Sequence, residues 1–361
     1  RDHSNEGLLL AHREVCCQSS QCPSETHIRN SVLINISRPI FRSFLKQSCL
    51  MLLTILSFTP LHAEPPEINS MVTEMGAIAY INASDGRDAI FVKDAMGENV
   101  IFTCASEAVI ILTPSVSADG KFITFVVDNG RNQKTIHILG PIQKVKNEWE
   151  AHDLEVMTVR GGAWPVFKDD QSVYMSMPEQ ASLSSDGTSN IYVINSEEIK
   201  QLSDNQAVST HIWPLLHPNG NALIYRYIPQ TDEMGESAEP VKSVLFDLES
   251  GNTTMHFVNQ FVYLEQWAGM GEILFSFRDK DVDGNRVYAL YSPETREIRE
   301  IYRNKSRQGA LSSESRFLAT IRSVPEGGSQ FDIFVTDLIS NAEINLTQTP
   351  RQSESLIGWI R

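Results

Sequence analysis

From Gly76 onward the apolar positions fall in short runs of four to seven residues, rich in Val, Ile, Phe and Tyr and separated by Gly, Asp, Asn, Ser and Pro. No window keeps a 3.6-residue apolar period over a dozen residues. The pattern predicts β-strands joined by close turns.

The runs recur in order. One series reads Ala77–Ile81, Phe122–Val127, Val173–Met177, Leu223–Tyr227, Ile273–Phe277 and Phe317–Ile321, with starts 45, 51, 50, 50 and 44 residues apart. Each is followed by a turn and a second strand (Ala89–Val92, Thr135–Ile138, Asn190–Val193, Ser243–Phe246, Val287–Leu290, Asp332–Val335), and then by a third. A fourth run precedes each member after the first, and a last copy, Leu356-Ile-Gly-Trp-Ile360, has no member after it. A period of about 45 to 50 residues is that of a four-stranded propeller blade. The expected fold is all-β, a six-bladed propeller over residues 76–361, closed by the carboxyl-terminal strand in the first blade. Trp164, Trp213, Trp267 and Trp359 fall on the innermost strands, where packing at blade junctions is the expected role.

The turn Ser117-Ala-Asp-Gly-Lys121, its partial copy His217-Pro-Asn-Gly220, the strands Asn190-Ile-Tyr-Val193 and Asp332-Ile-Phe-Val335, and the closing Asn345-Leu-Thr347 resemble the WD40-like (PD40) propeller repeat of the TolB family. The resemblance covers about residues 76–361 and implies a propeller in the bacterial envelope. It carries no activity by itself, since one fold hosts many functions. Oligogalacturonate lyases have a similar propeller and depend on a metal held by converging histidines, so a periplasmic polysaccharide lyase or hydrolase is the rival expectation.

Residues 1–41 show no periodicity and are left unassigned. Arg42 and Lys46, the apolar run Leu50–Phe58 and the small residue Ala63 read as a secretory signal over residues 42–63, followed by a short linker, 64–75. A nine-residue run is too short to span roughly 30 Å of hydrocarbon, which leaves no membrane span after cleavage. Residues 1–63 hold 6 Lys/Arg and 4 Asp/Glu, so the remainder carries 24 against 41, a net charge of −17. Phosphate backbones would repel such a chain, which argues against nucleic acid as a partner. Cys104 is the one cysteine beyond residue 63, so that part of the chain forms no disulfide framework. A periplasmic or secreted monomer is expected.

Catalytic motifs are scarce. There is no Gly-x-Ser-x-Gly elbow and no Walker-type loop. His211 and His217 share one predicted strand, where six residues at about 3.3 Å hold them roughly 20 Å apart, too far for one metal. No catalytic residue is assigned.

Acidic loops are the remaining feature. Asp279, Asp281 and Asp283 alternate before Gly284, as in a calcium loop, but the twelfth position from Asp279 is Leu290 instead of a bidentate acid, which excludes an EF-hand. The three remain candidate calcium ligands of another kind, and no cofactor is required. The repeat register places this loop on one propeller face, beside the long loops carrying Glu179, Asp186, Asp232, Glu233, Glu236 and Glu239. Long loops on a rigid scaffold often bind. The expected function is a non-enzymatic scaffold for an envelope protein or a peptide, basic in character, docking on this acidic face and the central mouth.

Overall fold

The computed structural model describes residues 66–130, 133–178, 188–203, 209–231, 237, 239–324, 330–349 and 354–361. A helix, α1 (Pro66–Glu74), precedes the strands. β1 (Ala77–Ser84), β2 (Arg87–Asp94) and β3 (Gly97–Thr103) form an antiparallel meander. The next sheet comprises β4 (Ile110–Val116), β5 (Ile123–Asp128), β6 (Lys134–Leu139) and, after the separate hairpin β7 (Gln143–Val145) and β8 (Glu148–Glu150), β9 (Asp153–Val159). Then come β10 (Ala163–Asp169), β11 (Ser172–Pro178), β12 (Ser189–Ile194) and β13 (Ile199–Gln201), followed by β14 (Ser209–Leu216), β15 (Ala222–Pro229), β16 (Lys242–Asp247) and β17 (Thr253–His256). Two further meanders are β18 (Tyr263–Ala268), β19 (Glu272–Arg278), β20 (Arg286–Tyr291) and β21 (Ile298–Asn304), and β22 (Gly309–Leu311), β23 (Phe317–Ser323), β24 (Phe331–Asp337) and β25 (Glu343–Asn345). The last strand, β26 (Ser355–Ile360), pairs antiparallel with β1. The fold is an all-β propeller.

The sheets do not divide into the six separate blades that the repeat spacing predicts. Four stand alone as four-stranded sheets; the other described strands form one eight-stranded sheet and a two-stranded ribbon. Ser189 pairs in parallel with Thr210 and so ties β12 to β14. The hydroxyls of Ser176 and Ser189 both donate to the carbonyl of His211, at 2.5 and 3.0 Å, which holds the two strands at ladder distance. Repeat length reports how often the chain turns back. Whether neighbouring sheets share backbone hydrogen bonds is a tertiary matter.

Both faces of each inner sheet are covered by the next, so β1, β15 and β20 are buried at six consecutive positions. That is why their sequences read as continuous apolar runs instead of alternating ones. The core is a set of layers between sheets: Ala79 and Ile90 meet Ile111, Ile123 and Phe125 on one side of the first sheet. On its other side Ile78 and Tyr80 meet Phe317, Ala319 and Val335, with Met71 of α1 and Met75 just after it closing the layer. Each Ile, Val, Phe or Met among them contributes about 1.5–3 kcal/mol when buried.

Side chains also lock neighbouring sheets through backbone groups. Gln266 both donates to the carbonyl of Leu311 and accepts from its N–H, at 2.8 and 3.1 Å. The indole N–H groups of Trp267 and Trp359 donate to Leu215 and Ala310 carbonyls, at 3.4 and 3.1 Å. In the Ser117–Lys121 turn, Ser117 Oγ accepts from the N–H groups of Lys121 and Phe122. Gly120 there has φ +73°, and a Cβ on it would lie 3.0 Å from the Arg361 nitrogen, so glycine lets the chain end pass close by. Among the described residues no helix is long and apolar enough to cross a membrane.

Candidate functional site

Of the acidic residues singled out in the sequence, Glu179, Asp186, Asp232, Glu233 and Glu236 lie outside the described residues. Glu239 is exposed, and its carboxylate accepts from Lys242 Nζ at 2.7 Å. That bond, with one from Tyr227, holds the Glu239 carboxyl below its usual range. In the β19–β20 loop, Asp281 and Asp283 are exposed, but the Asp279 side chain is only 3% exposed. One Asp279 oxygen pairs with Arg303 Nη1 at 2.8 Å and the other accepts from the Asp281 N–H at 3.0 Å. Asp279 is therefore taken up by a guanidinium and a turn. Among the described residues no group of three His, Cys, Asp or Glu side chains could hold a metal ion.

The histidines are likewise dispersed. His137 pairs with Asp153 at 2.9 Å, His217 lies between Asn219 and the carbonyl of Met270, and His256 between Thr254 and Tyr291. His211 is buried with Ser203 and Ser209 against its two ring nitrogens. Burial, helped by the charge of Lys242, pulls its imidazole down to about 4, so it is neutral at pH 7.

The innermost strands carry a more specific arrangement. Thr113, Trp164 and Trp213 occupy matching positions on β4, β10 and β14, each followed by proline, and all three have positive φ, at 46°, 55° and 52°. The ladders shift register there: between Leu112 and Ser115, Ala163 and Val166, and Ile212 and Leu215. A bulky residue at positive φ costs about 1–3 kcal/mol, and such strain persists where the surroundings enforce it. Those surroundings are visible at Trp164. Its N–H donates to Thr113 Oγ1 at 2.8 Å, and the next carbonyl, of Pro165, accepts from Ser115 and Thr124 hydroxyls at 2.7 and 2.8 Å.

The strained backbone turns the two indoles toward each other. Trp164 meets Trp213 edge-on with centroids 5.9 Å apart, Trp213 lies 5.6 Å from Tyr263 and 6.2 Å from Phe261, and Phe261 packs edge-on to Tyr263 at 5.3 Å. Phe261 is 53% exposed; the two tryptophans and Tyr263 are half-buried. The N–H groups of Trp149, Trp267 and Trp359 are held by Asp94, Leu215 and Ala310. Those of Trp164 and Trp213 meet no acceptor among the described residues. The junction-packing role expected of all four innermost tryptophans thus holds for Trp267 and Trp359. The other two form an aromatic shelf with two donors facing out.

Two arginines lie under the shelf. Arg286 stacks on Tyr263 with its guanidinium 4.0 Å from the ring, 3.6 Å from Glu265 Oε1. Ser276 donates to the same Glu265 oxygen at 2.6 Å. Burial raises the Glu265 carboxyl against the opposing pull of Arg286. Arg226 lies 5.7 Å from the Phe261 ring. Sequence reading missed Arg226, Phe261 and Tyr263. The recurring residue-proline pairs at 113, 164 and 213 were the one available signal, and proline alone does not select positive φ.

No protein-family model matches the chain, and no curated protein matches it. Its fold is that of TolB-like propellers. TolB from Acinetobacter baumannii superposes with TM-score 0.54 at 14% identity, covering 78% of this chain and 67% of that one. A protein assigned as TolB from Agrobacterium tumefaciens gives TM-score 0.47 at 11% identity, over 75% and 88% of the two chains. An oligogalacturonate lyase in complex with manganese gives 0.44 at 11% identity, over 75% and 84%. At these identities the likeness concerns the fold alone.

Proposed function

We propose that this chain is an exported TolB-like propeller that holds a protein or peptide segment on its aromatic shelf and catalyses no reaction. The Trp164–Trp213 pair carries this reading: two half-exposed indoles, held edge-on by strained backbone, with donors that meet no acceptor among the described residues. Aromatic anchors with a free polar edge are the residues that dominate protein interfaces. The segment 42–63 supports export, and the exposed acids Asp281 and Asp283 favour basic residues beside the anchored segment. The expected site is thus apolar at its centre and acidic at its rim.

Selection of displayed peptides against the full chain tests this, with the Trp164→Ala/Trp213→Ala variant as counter-selection. Enriched peptides that bind the native chain and not the variant are the expected result. Equal enrichment on both, or turnover of anionic oligosaccharides by the native chain, would overturn the reading.

A further inference from the structure

Arg226 is an anomaly within its own fold. At the matching register β11, β19 and β23 place a small hydroxyl opposite a large residue: Ser176 with Ile191, Ser276 with Tyr288, Thr320 with Phe334. β15 and β16 reverse this, with Arg226 opposite Ser243. A small partner makes room for the guanidinium. The exchange puts a full charge where those three strands bury a hydroxyl.

Among the described residues no carboxylate compensates that charge. Arg226 is 0% exposed. Its Nη1 donates to Ser243 Oγ and its Nη2 to the carbonyl of Gln260, both at 2.9 Å. Its Nε is the one buried side-chain nitrogen or oxygen without a partner among the described residues. Burial pulls the guanidinium down to about 10, and it stays charged at neutral pH. Nearby Lys242, also buried, has Glu239 as its counter-ion. Arg226 has, among the described residues, the face of Phe261 at 5.7 Å, and Phe261 is about half open to solvent. A buried charge without a counter-ion is costly and calls for a partner from outside the fold.

We infer that Arg226 is the receptor for a carboxylate on the docked peptide, with Phe261 as the movable cover between it and the shelf. This deepens the docking reading and rests on it for the peptide part of the ligand. In a protein so acidic overall, a cation kept free of acids of its own selects an anionic group at one point and leaves the rim to basic ones. Guanidinium matches carboxylate with two parallel donors, and Nε–H with an Nη–H is one such edge.

The test uses three N-acetylated dipeptides with an aromatic residue, at fixed ionic strength: a free acid, its amide, and an amide carrying a glutamate side chain. Acetate serves as the bare carboxylate. Thermal unfolding of the full chain reads binding, since a ligand held at ten times its Kd raises Tm by about 2 °C for a chain of this size. The expected result is a rise with acetate and with one or both carboxylate peptides, and a smaller one with the plain amide. The free acid against the glutamate amide tells a chain terminus from a side chain. Arg226→Met should fold, because an apolar replacement of a buried charge is often neutral or stabilising, and should abolish the difference between acid and amide. Phe261→Ala should enlarge the acetate shift by removing the cover. Equal shifts for acid and amide, no shift with any carboxylate, or acid preference retained in Arg226→Met would each overturn the inference. An acetate shift lost in Arg226→Met, with no peptide binding at all, would keep the carboxylate receptor and sink the shelf.

Discussion

The ring of Trp164 meets that of Trp213 at 90° and 5.9 Å, from strands whose closing partners, β11 and β15, come from different sheet meanders. Neither indole N–H meets an acceptor among the described residues, whereas Trp359 gives its own to Ala310 at 3.1 Å. Trp359→Phe should therefore lower stability by about 1 kcal/mol, the net value of one hydrogen bond, while Trp213→Phe should change it by close to zero. Denaturant unfolding of the two variants checks this. A larger cost at Trp213 would make the shelf a structural element.

His211 should give the protein a pH dependence on the acid side. Its imidazole titrates near 6.5 when unfolded and at about 4 when folded, so below pH 6.5 the unfolded chain binds the extra proton. The stability it contributes is complete above pH 6.5 and is lost as pH falls toward 4, about 2 kcal/mol being gone by pH 5. His211→Gln should flatten unfolding free energy between pH 7 and 5 by about that amount relative to the native chain.

Asp279 faces Arg303 instead of a metal. Chelator or millimolar calcium should leave Tm unchanged. Arg303→Ala should lower Tm, because it leaves the Asp279 carboxylate, 3% exposed, without its guanidinium. A calcium-dependent rise in Tm for the native chain would show that Asp281 and Asp283 bind without Asp279.

The approach of Arg361 to Gly120 ties the chain end to the second sheet, with the Arg361 N–H donating to the Gly120 carbonyl at 3.1 Å. Gly120→Ala should cost about 1–3 kcal/mol, because positive φ and a contact under 3.1 Å act together. Gly284→Ala, with φ +78° but open space around it, should cost about 1 kcal/mol. Removing β26 altogether should expose the edge of β1 and produce oligomers on size-exclusion chromatography.

Much of the fold was legible because it is written locally. The run Leu223–Tyr227 is continuous and apolar apart from Arg226, and Ser117, Asp119 and Gly120 supply turn chemistry within five residues. Such patterns determine strand, turn and order. They also place β26 beside β1, since the recurring four-strand unit lacks one strand at each end.

The number of separate sheets was not legible, because it hangs on one bridge, Ser189 to Thr210, between strands that the repeat treats as strangers. The site was legible only as a set of types. Three alternate aspartates look alike in sequence, yet Arg303, 24 residues on, takes one of them out of play. Four tryptophans on the innermost strands look alike, yet among the described residues only Trp267 and Trp359 find a carbonyl within reach. Arg226 reads as a polar interruption of a strand, and nothing nearby tells that Ser243 opens the space it fills. Sequence by itself determined the strands, the turns and their recurrence, which depend on neighbours along the chain. Only the tertiary structure decided which side chains share a space, because counter-ions, acceptors and covering rings come from strands that meet by packing.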